Sequence, residues 1–480
     1  VQLKPPEAHG TADVKQDLLI TNARLIDGTG APPRTPCAIR IRAGRIAEIE
    51  QGLPAGDEFL LDVGGATVLP GLIDPHVHLQ AVPGATFRMD DEERLWEARL
   101  HHLRAYLGCG VTTVLDAAIA APVLREIRRH LDSGGIGPRY LALAPAFYPP
   151  DGYLDHNYLT DAWGPMWRPA GTPEDVSALF DEYEGISDII GVKVMIEYGF
   201  SAFYDWPILS PEIRSLIMRE AAARNLPIFA HSIQQRAHAV ALEMRPRALM
   251  HSGLLDRRPP VEFTERMKAE GTYMVTTLSG LFDCLLERKS FVRGIDDPLI
   301  LSTVPEEQIA TVQDPTAWRY MYRHMLQATA PRWLPAGLAR VASWFVPPAM
   351  CEMFLRRAFR ATCQAILRLH EAGVRIVRGT DSGAWPVFPS CFHGYSTIRE
   401  MEIMAAAGLH PMDVLQAATR LPAEMMGLED QIGTVEVGKR ADLIVLADDP
   451  LADMKAFRSI QWTIMDGEAR RPAEWMESGS

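Results

Sequence analysis

Apolar runs that end on a polar or ionisable residue recur along the chain. They are Ala66 to Ile73 leading into His76, then Val111 to Asp116, Tyr140 to Leu143, Ile189 to Lys193, Leu226 to His231, Ala248 to His251, Tyr273 to Thr276 and Val374 to Asp381. Short β-branched runs without polar alternation suit strands buried on both faces of a parallel sheet. Between most of them the spacing of apolar positions predicts helices over Glu92 to Leu107, Val123 to Leu131, Pro173 to Tyr183, Pro211 to Arg224 and Cys351 to Ala372. Strands alternating with helices make βα units. Eight of them predict an α/β fold, a (β/α)8 TIM barrel, with its chemistry at the C-terminal ends of the strands. The pattern changes near both ends of the chain, where shorter strands stand between turn residues: Leu18 to Asn22, Ala38 to Arg42, Asp442 to Leu446 and Gln461 to Met465. These predict one small β-sandwich domain from residues 17–69 and 431–470, with the barrel, 70–430, inserted between its halves. Residues 1–16 read as a polar, proline-containing tail.

The candidate chemistry lies on the strand ends. His76 and His78 are two apart, so in an extended strand they share a face and offer two imidazoles to one ion. Imidazole is a common ligand of divalent metals. Lys193, His231, His251 and Asp381 each close a later run, which puts all six groups at the mouth of the same barrel.

Several ordered motifs carry a resemblance. LLITNARLIDGTG stands near the start, VLPGLIDPHVHL holds the histidine pair, GVTTVLD covers Gly110 to Asp116, and GTDSG holds Asp381. PMDVLQAATRLPAEMMGLEDQIGTVEVGKRADLIVLADDPLADM follows. In this order, from about Asp17 to Glu468, they resemble the amidohydrolase superfamily, and within it the imidazolonepropionase-like and Xaa-Pro dipeptidase-like binuclear hydrolases. The resemblance implies two divalent metal ions, zinc foremost and cobalt or manganese as alternatives, bridged by a carbamate on Lys193. It implies His76, His78 and Asp381 on one ion, His231 and His251 on the other, and a bridging hydroxide that attacks an amide carbonyl. Asp381 is then the catalytic base and acid. Carbamate formation is chemically reasonable, because a desolvated lysine near cations is held neutral and nucleophilic.

Composition narrows the partners. With 48 Lys and Arg against 61 Asp and Glu, the net charge is −13, which disfavours a nucleic-acid-binding face. No apolar run reaches the roughly 18 residues of a membrane span. The six cysteines show no compact ligand spacing. A cytoplasmic enzyme is the expectation, with a periplasmic or secreted one as the alternative if a signal peptide has been removed, and a homo-oligomer is expected.

Two aromatic-rich segments point to the substrate. The loop after the third strand, AFYPPDGYLDHNYLTDAWGPMWRP, carries Tyr148, Tyr153, His156 and Trp163. An insertion at about 278–350 reads as a lid, a subunit contact, a membrane contact or helical packing against the barrel. Tyr198, Arg378, Ser382, Trp385 and His393 lie near other strand ends. Aromatic walls favour a bulky, apolar or aromatic small molecule. An N-acyl amino acid, a peptide-like conjugate or an aromatic amide is the expected substrate. The alternatives are a lactonase or esterase on the same two ions, a mononuclear deaminase or cyclic-imidate hydrolase, and an assembly protein without metal.

Overall fold

All eight apolar runs become neighbouring strands of one parallel sheet. Their order is β6 (Leu72–Val77), β7 (Val111–Asp116), β8 (Arg139–Phe147), β9 (Ile189–Met195), β10 (Ile228–His231), β11 (Ala248–Leu249), β12 (Tyr273–Val275) and β13 (Ile376–Val377). The sheet curls until its edges meet. The Asp381 N–H donates to the His76 carbonyl at 2.8 Å, and the His78 N–H donates to the Ser382 carbonyl at 2.8 Å. This computed structural model describes residues 17–80, 91–156, 168–199, 205–253, 255–283, 294–316, 318, 348–383 and 390–477, with single residues at 286, 289, 338 and 341.

One run divides differently from its sequence pattern. Ala66 to Ile73 reads as a single strand, but the chain passes from one sheet to another at Gly71. β5 (Thr67–Pro70) pairs antiparallel with β14 (Leu443–Leu446), whereas β6 begins the barrel and carries Asp74 and Pro75 inside it. The two ends of the chain thereby meet in a separate mixed sheet ordered β16 (Glu468–Arg470), β15 (Ile460–Met465), β14, β5, β1 (Leu18–Leu25), β2 (Arg34–Arg42) and β3 (Arg45–Glu50). β4 (Phe59–Asp62) lies alongside β1. It has its own apolar core, including Ile20, Ile39, Val68, Leu443 and Val445.

Local signals set the helices. Before the helix Pro173–Glu182, the Thr172 hydroxyl accepts from the Asp175 N–H and the Asp175 carboxylate accepts from the Thr172 N–H, a reciprocal cap followed by proline in the first turn. At Pro211–Ala223 the Ser210 hydroxyl accepts from the Ile213 N–H, a one-way cap again followed by proline. Within the insertion, helices Pro298–Thr303 and Glu306–Gln313 are described, and the buried Trp318 donates its indole N–H to the Val312 carbonyl at 2.7 Å. Most of its remainder, 319–347, lies outside the described residues apart from 338 and 341. No described helix is long and apolar enough to cross a membrane.

Candidate metal centre

Strand alternation aims Lys193 and His231 inward. On β9, Val192 and Val194 pack outward against the helices, so Lys193 between them points into the barrel. On β10, Ala230 packs outward and His231 inward by the same rule. β6 needs a correction to its parity, because Ile73 already faces the barrel interior and strict alternation would turn His76 away. A register shift between Asp74 and Val77 supplies the extra residue. Asp74 and Val77 then face the helices while His76 and His78 face the interior. Space for His76 comes from Gly379, where an added Cβ would lie 3.0 Å from the His76 Cβ and 2.5 Å from a Val275 methyl.

The groups converge. Asp381 Oδ1 is 3.1 Å from His78 Nε2 and 3.4 Å from His76 Nε2. The His251 ring centroid is 4.5 Å from that of His76 and 4.6 Å from that of His231. Among the described residues, His76, His251 and Asp381 make a metal-sized trio whose ligand atoms lie within 4.8 Å of one another. That trio crosses the expected division into two ligand sets. Lys193 is 1% exposed, and its charge acts on His76, His231 and His251.

Burial dominates the electrostatics. It pulls the Lys193 amine down to about 7, against the opposing pull of Asp381 and Asp116. His76, His231 and His251 are held well below the ordinary histidine range, first by burial and then by neighbouring cationic groups, so they stand as neutral imidazoles. The buried His231 Nε2 has no hydrogen-bond partner among the described residues. Such an orphan costs about 1–3 kcal/mol, and a divalent cation is a group that would satisfy it. Neutral imidazoles, a carboxylate and a lysine make a donor set that fits a divalent-metal centre.

Outer partners fix this arrangement. Thr277 Oγ1 lies 3.0 Å from His251 Nδ1, leaving Nε2 for the cluster. Asp116 accepts from the Leu79 N–H, the Ala118 N–H and the Tyr140 hydroxyl while approaching His78 Nδ1 at 4.0 Å. Thr277 and Asp381 both adopt left-handed backbone, at φ 49° and 63°, a conformation that concentrates at functional sites. Asp116 had a visible signal, since it ends an apolar run as the ligand candidates do. Thr277 had none.

The expected substrate contacts divide. Tyr153 packs against His231 at a tilt of 32° with ring centroids 4.5 Å apart and leans on Trp206 at 5.9 Å, forming an aromatic wall beside the cluster. Trp206 was not anticipated from sequence. Tyr198 is half-buried beneath the Arg236 guanidinium. Tyr148 is buried, and burial with Asp155 pushes its phenol up. The Ser382 hydroxyl meets the Thr380 hydroxyl at 2.6 Å and donates to the Phe392 carbonyl at 3.2 Å, inside the closing seam. His393 is buried against His102, its Nδ1 2.6 Å from the Tyr106 hydroxyl. Arg378 is fully buried with Asp74 at 3.1 Å. His156 ends a short helix, Tyr153–His156. Trp163 and Trp385 lie outside the described residues.

A profile of the amidohydrolase family matches residues 67–470. The chain belongs to the amidohydrolase family. Members generally work with divalent metals and hydrolyse carbon–nitrogen bonds, and this chain carries a His and Asp group of the kind that can hold such an ion. It is 33% identical over 103 residues to an allantoinase of Streptomyces avermitilis, covering 21% of this chain and 20% of that protein. It is 45% identical over 69 residues to an imidazolonepropionase of Vibrio vulnificus, covering 13% and 16%. The chain thus aligns with a fifth or less of the length of these curated relatives. A crystal structure of a Xaa-Pro dipeptidase with bound methionine superposes with a TM-score of 0.68 at 21% identity, covering 95% of this chain and 99% of that one. This likeness is one of fold.

Proposed function

We propose that this amidohydrolase cleaves an amide bond of a bulky, apolar or aromatic small molecule, such as an N-acyl amino acid, a peptide-like conjugate or an aromatic amide. The observation that carries the reading is the convergence of His76, His78, Lys193, His231, His251 and Asp381, from five strand ends, into one buried cluster beside the Tyr153 and Trp206 wall. Six donors exceed the four that a closed zinc site takes, which favours a pair of ions with Lys193 carbamylated between them. Divalent ions held there by His76, His78, His231, His251 and Asp381 would supply Lewis acidity toward a water and the scissile carbonyl.

The chain's own groups do the rest. His76, His231 and His251 remain neutral near pH 7 and offer lone pairs instead of protons. Asp381, next to both His76 and His78, accepts the proton of the attacking water at its carboxylate and returns it to the leaving nitrogen. Tyr153 and Trp206 receive the apolar part of the substrate and exclude water from the reacting bond.

A panel of N-acyl aromatic amino acids, anilides and aryl lactones, assayed with metal-loaded protein and read by product mass, tests the reading. The expected products are a free carboxylate and a free amine from at least one amide. Turnover confined to lactones would replace the amide reading, and release of ammonia alone would point to a deaminase.

A further inference from the structure

Beside the loop that carries His251, a solvent-facing cavity of about 950 Å³ is lined by four arginines, Arg257, Arg356, Arg357 and Arg360, and by the acids Asp256 and Glu352. Arg257 lies on the loop after β11. The other three stand on neighbouring turns near the middle of the helix Pro348–Glu371. The loop and helix are tied together, because the Thr362 hydroxyl donates to the Gly253 carbonyl at 2.9 Å, two residues past His251. That helix leads back to the start of β13, so its first half stands at the barrel end from which the β11 loop emerges.

Several guanidinium groups of this chain are already engaged by acids. Arg139, Arg236, Arg399 and Arg458 all meet carboxylates. None of the four cavity arginines makes a hydrogen bond or ion pair with a described residue, and neither Asp256 nor Glu352 pairs with them. A concave cluster with two more cations than anions, in a chain of net charge −13, keeps a local positive potential that helps to draw in anions. Guanidinium forks match the oxygens of carboxylate and phosphate.

We propose that this cavity is a binding site for a small molecule bearing a carboxylate or a phosphate group, held by Arg257, Arg356, Arg357 and Arg360. The anion has two sources. It is either the acidic end of the molecule being hydrolysed, a source that rests on the proposed function, or a separate small acid, which does not. Both engage the same guanidinium groups.

Titration calorimetry on the metal-loaded full chain tests this with inorganic phosphate, N-acetyl-phenylalaninate and its neutral carboxamide as probes. An R356Q/R360Q variant changes only solvent-facing helix positions. It should lose about tenfold or more in affinity for the two anions and none for the carboxamide, while R356K/R360K should retain much of the binding. Equal anion affinity in the wild type and the glutamine variant would overturn the proposal. Comparison with wild type cancels anion binding at the metal centre, which both proteins share. Hydrolysis separates the sources. A raised KM for the carboxylate substrate, with kcat and the carboxamide unchanged, assigns the site to the substrate's acidic end. Unchanged hydrolysis with weakened phosphate binding assigns it to a separate acid. If the wild type hydrolyses neither compound, N-acetyl-phenylalaninate is removed as a substrate while the calorimetry still decides the anion site.

Discussion

Asp381→Asn should keep its bound metal and lose hydrolysis by about 10²- to 10⁴-fold in kcat/KM. Asparagine tolerates the left-handed backbone that Asp381 adopts at φ 63°, so the seam formed by the Asp381 N–H and the His76 carbonyl should survive. An amide oxygen still faces His76 and His78. What disappears is the carboxylate that takes a proton from water and delivers it to the leaving nitrogen. Metal analysis and steady-state kinetics on one preparation check both halves. Near-normal turnover in a metal-replete variant would remove Asp381 from proton transfer.

Arg378→Met should destabilise the fold by about 3–5 kcal/mol. The Arg378 and Asp74 side chains are wholly buried and 3.1 Å apart where the barrel closes. Asp74 also accepts the Thr380 hydroxyl at 2.9 Å and the Thr397 hydroxyl at 2.8 Å, and Arg378 donates to the Ile73 carbonyl. Removing the cation leaves a buried carboxylate beside two hydroxyls. Replacing both partners by apolar residues, as in an Asp74→Leu, Arg378→Met double variant, should recover much of the loss, because no buried charge is then left alone. Urea unfolding of the two variants measures the difference. A single variant within 1 kcal/mol of the parent would show that the pair does not hold the seam.

Much of this architecture was legible in the chain because barrel chemistry and strand punctuation coincide. An apolar run must stop where the chain meets the open end of the barrel, and there a polar side chain can reach the interior. Lys193, His231, His251 and Asp381 were visible for that reason. The run from Ala66 to Ile73 misled because both sheets want β-branched residues, and only pairing across the chain ends, Val68 with Val445, reveals the crossing at Gly71. The parity of His76 rests on a one-residue register shift that periodicity cannot express. Trp206, Thr277 and the Asp74–Arg378 pair were hidden, since their roles depend on what faces them from distant segments. Ser382 and His393 sit near strand ends, but their positions in the closing seam and against His102 depend on tertiary packing.

Counting metal per chain after loading with and without bicarbonate tests the central claim most directly. Burial holds the Lys193 amine at about 7, so it is neutral and able to attack carbon dioxide above that pH and protonated below it. Bicarbonate-dependent uptake should therefore rise as pH increases through about 7, reach about two ions per chain, and be lost in Lys193→Ala. One ion or none under metal-rich, alkaline conditions, or two ions held equally well by Lys193→Ala, would contradict a lysine-bridged pair.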